Sequence, residues 1–285
     1  MPWNAARSSQ CPRFPESATF QPFASLRNVL ILLPPSEGKT PPSSGPFLDL
    51  AALSFPELTK TRNAVLSELI RQCRSDPDHA ATLLGLGPKQ SDDVGRNADL
   101  KREPCGPAIG VYTGVLFDAL DYPTLSTRAR KRAREHVAIS SALWGLLRPN
   151  DLIPAYRLSG SITLPGIGTL AAAWKAPVSA VLAETPGLIV DLRSGTYVSL
   201  GPIPPSAADR AVSVRVLQER NGRRTVVSHH NKATKGRLLR ALLESTLTPR
   251  TPAALLRALQ KLDFQVEEAG TSVIGTHLDV IVDEP

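Results

Sequence analysis

Three short apolar runs constrain the fold of this chain more than any other feature of its sequence. VLILL occupies residues 29–33, and GLIVDLRS occupies residues 187–194. REHVAISSALWGLLRP, residues 134–149, is interpreted as a buried strand that runs into a turn ending at Pro149. Runs of this length without polar alternation are typical of strands covered on both faces. Because helical periodicity recurs between them, the sequence predicts an α/β fold (mixed α+β) around a mixed sheet.

Further helices and strands follow from periodicity and turn chemistry. Apolar residues recur at helical spacing from Pro56 to Arg74, and HAATLLGL at residues 79–86 predicts a short second helix. Asn221-Gly222 separates two alternating runs within residues 211–230 and is the strongest hairpin signal in the chain. Two helices and two closing strands are then predicted, over residues 233–245, 251–263, 264–268 and 271–283.

The first 28 residues differ in composition from the rest of the chain. They lack the apolar core of a secretory signal, and their large apolar residues stand singly among proline, serine and arginine. A segment of this composition cannot offset the entropy lost on ordering, so a disordered tail is predicted for residues 1–28. Residues 29–285 are predicted to form a single compact domain.

Cysteine and histidine spacing limits the chemistry that the chain can support. Its three cysteines, Cys11, Cys73 and Cys105, are scattered and form no C-x-x-C pair, so neither a disulfide framework nor a zinc site is indicated. His229-His230 lies on a predicted strand, where neighbouring side chains point to opposite faces and cannot easily share one ion. We therefore expect no metal and no cofactor.

Charge and hydropathy indicate a compartment and a kind of partner. The chain has no run of eighteen apolar residues, so no transmembrane helix is expected. The cysteine usage fits a reduced cytoplasmic protein, and a monomer is expected. The net charge of +7 and the pI of about 9.6 favour an acidic partner such as nucleic acid.

The stretch LILLPPSEGKT, residues 30–40, ends like the phosphate-binding loop of an ATPase. Leu33 occupies the position of the first glycine of that loop, and the run 41–46 places prolines where a helix must begin. These departures argue against an ATPase. Ser36 and Lys39 nevertheless follow a buried strand, which is where open α/β sheets often place a site. An ordinary strand exit with solvated charges explains the same residues.

The segment Leu83–Lys89, LLGLGPK, has the pattern of a helix-hairpin-helix. In that motif Gly85 and Gly87 open the backbone so that N–H groups can hold a DNA phosphate, while Lys89 adds charge. A helix that ends at a capping glycine before a turn explains the same residues. LPGIG at residues 164–168 is a second match, which we rank lower because a strand or turn precedes it.

Basic residues cluster in two segments. Residues 128–136, RARKRAREH, carry five basic residues against one acid, and residues 215–240 carry eight against Glu219 alone. A surface that follows DNA phosphates needs such density, although a solvated face is the usual explanation of one basic run. The DNA-binding candidates are Gly85, Gly87, Lys89, Arg128, Arg130, Lys131, Arg132, Lys232, Lys235 and Arg237.

Residues 144–158, WGLLRPNDLIPAYRL, place charged side chains among apolar residues and prolines. Charges in such a setting must be paired or used. Arg148 and Asp151 can form a structural pair, or the whole group can line a cleft together with the residues after the first strand. The cleft candidates are Ser36, Lys39, Tyr112, Arg148, Asp151, Tyr156 and Arg157.

Five segments, in this order, resemble the YaaA family of peroxide stress proteins. They are PPSEGKT, VYTGVLFDAL, WGLLRPNDLIPAYRL, VDLRSGTY and SHHNKATKGRLLR, and the resemblance spans roughly residues 29–284. It implies a cytosolic protein induced by hydrogen peroxide, in a family linked to low free intracellular iron. It also implies a compact fold with a positively charged cleft and a helix-hairpin-helix that binds duplex DNA, to which Gly85 and Gly87 would belong.

Two functions remain open at this point. The first is a stress protein that binds duplex DNA without strong sequence preference and has no catalytic activity, which the charge and the hairpin pattern favour. The second is an enzyme that acts on a nucleotide or a nucleobase in the cleft. Polar residues follow buried strands at several separate places, more than phosphate contact requires, and this favours the second function.

Overall fold

The largest sheet of the molecule is built on the apolar runs described above. The computed structural model describes residues 29–87, 90–220, 223–225 and 228–283, and the predicted tail, Lys89 and the Asn221-Gly222 turn lie outside them. The strands of the described residues are β1 (Val29–Leu33), β2 (Gly106–Pro107), β3 (Val137–Ser141), β4 (Gly145–Leu147), β5 (Leu152–Ile153), β6 (Thr163–Leu164), β7 (Gly168–Thr169), β8 (Leu188–Asp191), β9 (Ala211–Arg220), β10 (Arg223–Thr225), β11 (Gln265–Ser272) and β12 (Gly275–Asp283).

The main sheet is parallel at its centre and antiparallel at its margins. Its strand order is β11-β12-β9-β8-β1-β3-β4, with β10 paired to the end of β9. The neighbours from β12 to β3 all run parallel. The pairs β11–β12, β3–β4 and β9–β10 are antiparallel. The predicted mixed sheet is therefore confirmed, and β1 lies at its centre because its residues are apolar on both faces.

Helices cover the sheet and connect its strands. They are α1 (Thr59–Ser75), α2 (Pro77–Leu83), α3 (Asp92–Ala98), α4 (Ala108–Val111), α5 (Val115–Leu120), α6 (Thr127–His136), α7 (Leu170–Glu184), α8 (Gly195–Ser199), α9 (Ser228–Glu244) and α10 (Pro252–Lys261). Helices α5 and α6 both pack against α9, and α1 packs against α2 and α3. Thr251 caps α10 by accepting a hydrogen bond from the Ala254 N–H, as a threonine before proline predicts.

Two sequence predictions are wrong in their local detail. Residues 134–149 hold the end of α6 and two strands, because Gly145 adopts a φ of 73° and lets β4 turn back along β3. A Cβ on Gly145 would lie 2.7 Å from a Trp174 ring atom, so the turn also requires a glycine for space. His229-His230 lies in the first turn of α9 and not on a strand, because the helix begins at Ser228.

The described residues form one domain around one apolar core. The core contains Trp144 and Trp174, and the Trp174 indole N–H donates to the Ala142 carbonyl at 2.8 Å. Arg62 is fully buried and donates to the carbonyls of Trp144 and Leu146, which satisfies backbone groups between β3 and β4. Among the described residues, no helix combines the length and the apolar character that crossing a membrane requires.

Candidate functional site

A cleft of about 1020 Å³ opens where β1 and β8 end. Its walls are the loop after β1, the loop after β8, the start of α5, the first turns of α9, and the exposed face of β9 and β12. The sequence places polar residues directly after both central strands, and the parallel arrangement brings those two loops to one edge of the sheet. Polar residues that line the cleft include Ser36, Glu37, Asp191, Arg193, Ser213, Arg215, Asn231, Lys232, Lys235 and His277.

The loop after β1 is held in shape by backbone contacts with the segment before α5. The Thr113 N–H donates to the Ser36 hydroxyl oxygen at 3.1 Å, and that hydroxyl donates to the Gly38 carbonyl at 2.5 Å. The Thr40 N–H donates to the Val111 carbonyl, and Lys39 forms a β-bridge with Tyr112. No helix follows the loop, which agrees with the rejection of an ATPase phosphate loop from the sequence.

Lys39 lies over two buried tyrosine rings. Its ammonium nitrogen is 4.3 Å from the Tyr156 ring centroid and 5.4 Å from that of Tyr112, and it donates to the Ser36 carbonyl at 3.0 Å. Burial lowers the pKa of Lys39 to about 8. The lysine is not part of the cleft wall itself, but it supports the Ser36–Gly38 loop that is.

A chain of hydroxyl groups continues from these tyrosines into the core. The Tyr112 and Tyr156 hydroxyls are 2.9 Å apart, and the Ser141 hydroxyl lies 2.7 Å from that of Tyr156. Burial raises the pKa of Tyr112 to about 12 and raises that of Tyr156 well above its ordinary value. Both phenols are therefore neutral, and it is their rings, and not their hydroxyls, that contact the Lys39 ammonium group.

Arg157 joins the predicted cleft residues to the loop after β1. Its guanidinium donates to the Glu37 carbonyl at 3.0 Å and lies 3.6 Å from the Glu37 carboxylate. The structure thus brings Ser36, Lys39, Tyr112, Tyr156 and Arg157 together, although up to 121 positions of sequence separate them.

Arg148 and Asp151 occupy a different place in the molecule. Asp151 accepts hydrogen bonds from the hydroxyl and the N–H of Ser54 and from the Arg148 N–H, so it fixes two loops. The Arg148 guanidinium donates to the Val137 carbonyl and lies 5.0 Å from the Phe55 ring centroid. Both residues have structural contacts of this kind, and neither lines the cleft.

A buried ion pair forms the floor of the cleft beside β8. The Arg193 guanidinium donates to both oxygens of the Asp191 carboxylate, at 2.7 and 2.9 Å. The Arg193 side chain is only 1% exposed and that of Asp191 only 5%. The Arg193 N–H also donates to Asp191, and its guanidinium donates to the Tyr197 carbonyl. These contacts hold the loop after β8 in a fixed shape.

Lys235 enters the same site from α9. It is 7% exposed, lines the cleft, and donates to the Leu192 carbonyl at 2.9 Å. Burial lowers the pKa of Lys235 to about 8, although the neighbouring Asp191 carboxylate opposes this shift. The next residue, Gly236, allows α9 to approach α5 closely, since a Cβ there would lie 2.3 Å from the Leu116 carbonyl oxygen.

A serine–histidine contact on the cleft face of the sheet was not predicted from the sequence. Ser213 on β9 and His277 on β12 are register partners, and the Ser213 hydroxyl lies 2.5 Å from His277 Nδ1. The Ser272 hydroxyl lies 2.7 Å from His277 Nε2. Ser213 also pairs in register with Asp191, which places it beside the end of β8.

The basic run on α6 is used largely for contacts within the protein. Arg132 donates to the carbonyls of Leu243, Ser245 and Leu247, and Arg128 donates to the Glu244 carbonyl. These groups satisfy carbonyls at the end of α9, where cations are favoured by the helix dipole. Arg130 contacts the Pro123 carbonyl at 3.5 Å. Lys131 and Arg134 remain exposed.

The second basic segment has more acidic partners than the local sequence indicated. Arg215 contacts Asp279 at 2.6 and 2.7 Å, and Arg224 contacts both Glu219 and Glu267. The acids on β11 and β12 are distant in sequence, so counting charges within residues 215–240 missed them. Lys235 is buried in the cleft wall and so, unlike Lys232 and Arg237, is not part of the exposed basic surface. Lys232 and Arg237 are exposed.

Of the hairpin pattern at residues 83–89, the structure describes residues 83–87, which are the end of α2 and the residues directly after it. Gly85 has a φ of 64°, its N–H donates to the Thr82 carbonyl, and the Leu86 N–H donates to the Ala81 carbonyl. This is the helix-ending arrangement with a left-handed glycine. The Gly87 N–H donates to the Gln90 side chain at 3.1 Å. The second match at residues 164–168 spans the β6–β7 hairpin.

Cysteines and metal ligands contribute little to the chemistry of the described residues. Cys73 and Cys105 are free and buried, and burial raises the pKa of each thiol to about 11. Such thiols are poorly reactive. Within residues 29–283, apart from the undescribed positions, no group of three or more His, Cys, Asp and Glu side chains is arranged to hold a metal ion.

Comparison with known proteins shows similarity along nearly all of the described chain. A family model for "Peroxide stress protein YaaA" matches residues 29–270. A UPF0246 protein of Streptomyces coelicolor is 43% identical over 260 residues, which cover 90% of this chain and 99% of that protein. UPF0246 proteins of Corynebacterium efficiens and Corynebacterium glutamicum strain R are 44% and 41% identical, over 76% and 84% of this chain and 86% and 95% of their own lengths.

Proposed function

Because the chain belongs to the peroxide stress protein YaaA family, we propose that it serves in the response to hydrogen peroxide as an enzyme acting on a nucleotide or a nucleobase in the cleft. The observation that carries this proposal is the position of Lys235. A lysine buried in the wall of an open cleft, against a backbone carbonyl, is desolvated at the place where a ligand would enter. A solvated surface lysine would have neither property.

The surroundings of Lys235 suit an anionic ligand of nucleotide size. A volume of about 1020 Å³ exceeds what such a ligand needs, and Lys232 adds an exposed cation one helical turn away. The Asn231 side-chain oxygen is buried in the same wall and has no hydrogen-bond partner among the described residues. Asn231 can therefore accept a hydrogen bond from an N–H or O–H group of a ligand such as a base or a ribose.

The chemistry available to Lys235 follows from its desolvation. With a pKa of about 8, roughly a tenth of its amino groups is uncharged at pH 7, whereas an exposed lysine is almost fully protonated. The uncharged amine can act as a general base or a nucleophile, and the charged form can hold a phosphate. The buried Asp191–Arg193 pair supports this role by fixing the loop whose Leu192 carbonyl orients the lysine.

Calorimetric titration with a panel of nucleotides, nucleosides and free bases tests this proposal. We expect at least one member to bind, and Lys235→Ala to weaken that binding about tenfold or more, since a hydrogen bond to a charged group is worth roughly 1.5–3 kcal/mol. Lys60→Ala is the matched control because Lys60 is exposed on α1 and does not line the cleft. The bound member is then incubated with the enzyme and its products are identified by mass spectrometry.

Absence of binding by every member of the panel, in a protein that unfolds cooperatively, would contradict the proposal. Equal binding by wild type and Lys235→Ala would show that the cleft is not the binding site. Binding without turnover, unaltered by time or enzyme concentration, would leave a nucleotide-binding protein in place of an enzyme.

A second candidate function is binding of duplex DNA, which would protect it against oxidative damage while free iron is kept low. The observation that favours it is the exposure of four cations, Lys131, Arg134, Lys232 and Arg237, on two helices that pack together. Side chains of this kind contact phosphates without reading the base sequence. The hairpin glycines contribute less, because the N–H groups of Gly85 and Gly87 already have partners within the protein.

Fluorescence anisotropy with labelled duplex across a salt series tests this second function. Each neutralised phosphate releases about 0.9 counterion, so Lys131→Ala and Lys232→Ala should each reduce the salt slope by about one. Gly87→Val reports on the hairpin, since a Cβ at Gly87 meets no atom within 4 Å and the fold should tolerate it. No binding at low salt would eliminate the DNA function, and loss of binding only in Gly87→Val would assign it to the hairpin.

A further inference from the structure

The contact between Ser213 and His277 has the geometry of an activated nucleophile. Their atoms lie 2.5 Å apart, on adjacent parallel strands whose backbone hydrogen bonds fix the register. Both residues are half-buried and both line the cleft. The other nitrogen of the histidine contacts Ser272 at 2.7 Å, so the ring is held from both sides. A nucleophile, a base and a group that orients the base are the three parts that such chemistry needs.

We propose that Ser213 is a catalytic nucleophile for acyl transfer, with His277 as its general base and Ser272 as a positioning residue. This inference rests on the proposed function, because both place a substrate in the same cleft. The two use different walls of that cleft. Ser213 is on the sheet, and Lys235 is on α9. In the productive tautomer, His277 Nε2 carries the proton and donates to Ser272, which leaves Nδ1 free to accept from the Ser213 hydroxyl.

The reaction that this arrangement supports balances without a metal or a redox partner. The Ser213 oxygen attacks the carbonyl carbon of an ester and transfers its proton to His277 Nδ1. The bond between that carbon and the leaving oxygen then breaks, and the proton passes from Nδ1 to the leaving oxygen to give an alcohol. Water, activated by the same nitrogen, subsequently attacks the acyl-serine, releases a carboxylic acid and restores the hydroxyl.

The substrate class follows from the groups around the serine. The third member of the arrangement is a hydroxyl and not a carboxylate, so the imidazolium that forms is stabilised less than in a Ser-His-Asp site. Such a site suits activated esters, whose leaving groups need little assistance. Lys232 and Lys235 line the same cleft, whereas the guanidinium of Arg215 is already paired with Asp279. The substrate class is therefore an activated carboxylic ester that carries an anionic group.

Labelling of the full chain with a fluorophosphonate probe, followed by peptide mass spectrometry, tests this inference. We expect one adduct, on Ser213, and no adduct in Ser213→Ala. His277→Gln should slow the labelling roughly 100-fold or more, since general-base assistance contributes on the order of 10²–10⁴. Ser272→Ala should slow the labelling less. Pre-steady-state hydrolysis of p-nitrophenyl acetate should show a burst of nitrophenol with the wild type and no burst with Ser213→Ala.

The matched control is Ser199→Ala, since Ser199 is exposed, bonds to the Thr196 carbonyl and lies outside the cleft wall. Its labelling should equal that of the wild type. No adduct on the folded wild type, an adduct on Ser272, or full-rate labelling of His277→Gln would each overturn the assignment. Calorimetric nucleotide titration of the same preparations separates the two proposals. Nucleotide binding is expected to depend on Lys235, whereas fluorophosphonate labelling is expected to depend on Ser213.

Discussion

Lys232 and Lys235 are three residues apart on α9, both line the cleft, and their surroundings differ. Lys232 is exposed to water, whereas Lys235 is 7% exposed and faces the Leu192 carbonyl. The sequence assigned both to one basic surface, because it shows charge but not solvation. Desolvation disfavours the charged form of a lysine, and it is this property that turns a phosphate-contacting residue into one that can exchange a proton.

We predict that Lys235→Met changes how stability depends on pH. The folded-state pKa is about 8 and the ordinary value is 10.5. Between these pH values the unfolded chain keeps the proton that the folded chain has released, so the stability of the wild type rises with pH. Below pH 8 both states are protonated and the cost of burying the charge is fully present. The free energy of unfolding of Lys235→Met minus that of the wild type, both measured in urea, should therefore be about 3 kcal/mol smaller at pH 10.5 than at pH 7.

Lys232→Met is the matched control for this measurement, because it removes the same ammonium group from an exposed position on the same helix. Its free energy of unfolding should follow that of the wild type across the pH range. A constant difference between Lys235→Met and the wild type from pH 7 to pH 10.5 would contradict the burial argument.

The Asp191–Arg193 pair should be among the least tolerant positions of the site. Asp191→Asn removes the charge but keeps the shape, and leaves the Arg193 guanidinium buried without its counter-charge. Breaking a buried pair in this way typically costs about 3–5 kcal/mol. Asp99→Asn breaks the exposed pair with Arg74 and should cost less than about 1 kcal/mol. Urea unfolding of both variants checks the contrast, and equal losses would show that burial does not set the difference.

Contacts between residues on neighbouring strands could not be predicted from the sequence alone. Ser213 and His277 are 64 positions apart, and each belongs to an alternating run whose inward positions are clear. What the runs do not show is which strands are neighbours and in which register, and a slip of one residue would turn the histidine to the opposite face. The polar ends of β1 and β8 were predictable, because they follow uninterrupted apolar runs.

At the scale of elements, periodicity identified the long helices and the central strands, and errors arose where an element depends on a distant partner. α6 was predicted as part of a basic surface. Arg128 and Arg132 in fact satisfy the carbonyls at the end of α9, more than a hundred positions away. The sequence of α6 shows that it is positively charged, but it does not show that the end of α9 packs beside its arginines.

The contact between α5 and α9 depends on one glycine, and this gives a prediction with an internal control. Gly236→Ala would place a Cβ 2.3 Å from the Leu116 carbonyl oxygen and 2.9 Å from the Ala119 Cβ. Since the helices cannot separate without moving Lys235, we expect a loss of about 1–3 kcal/mol and weaker ligand binding in the cleft. Gly95→Ala makes the same change in α3, where nothing lies within 4 Å.

Gly95→Ala should stabilise the protein by up to about 1 kcal/mol, because alanine is the better helix former and meets no obstacle. Thermal unfolding of the two variants should therefore shift in opposite directions. A similar shift for both would mean that helix propensity, and not the α5–α9 contact, dominates at Gly236.

At the scale of the molecule, the cleft exists because parallel strands end at one edge. Ser36, Arg193 and Lys235 come from three segments that a linear search treats separately, and the fold joins them. The expectation that residues near 150 would lie close to those near 36 holds for Tyr156 and Arg157, which contact Lys39 and Glu37, although neither of them lines the cleft. It was wrong for Arg148 and Asp151, because the chain turns at Pro149 and carries them to the Ser54 loop, where their bonds hold the framework.

The distribution of apolar surface leads to a last prediction, that the protein is a monomer in solution. Among the described residues, the large apolar side chains that remain exposed are Phe47, Leu152 and Val273. A stable interface buries about 800 Å² on each partner with a desolvated apolar centre, which three side chains do not provide. Light scattering on a sizing column should give a mass near 30.6 kDa at all loading concentrations. Phe47→Ser should leave that mass unchanged. A mass twice as large, reduced by this substitution, would reveal an interface at Phe47 instead.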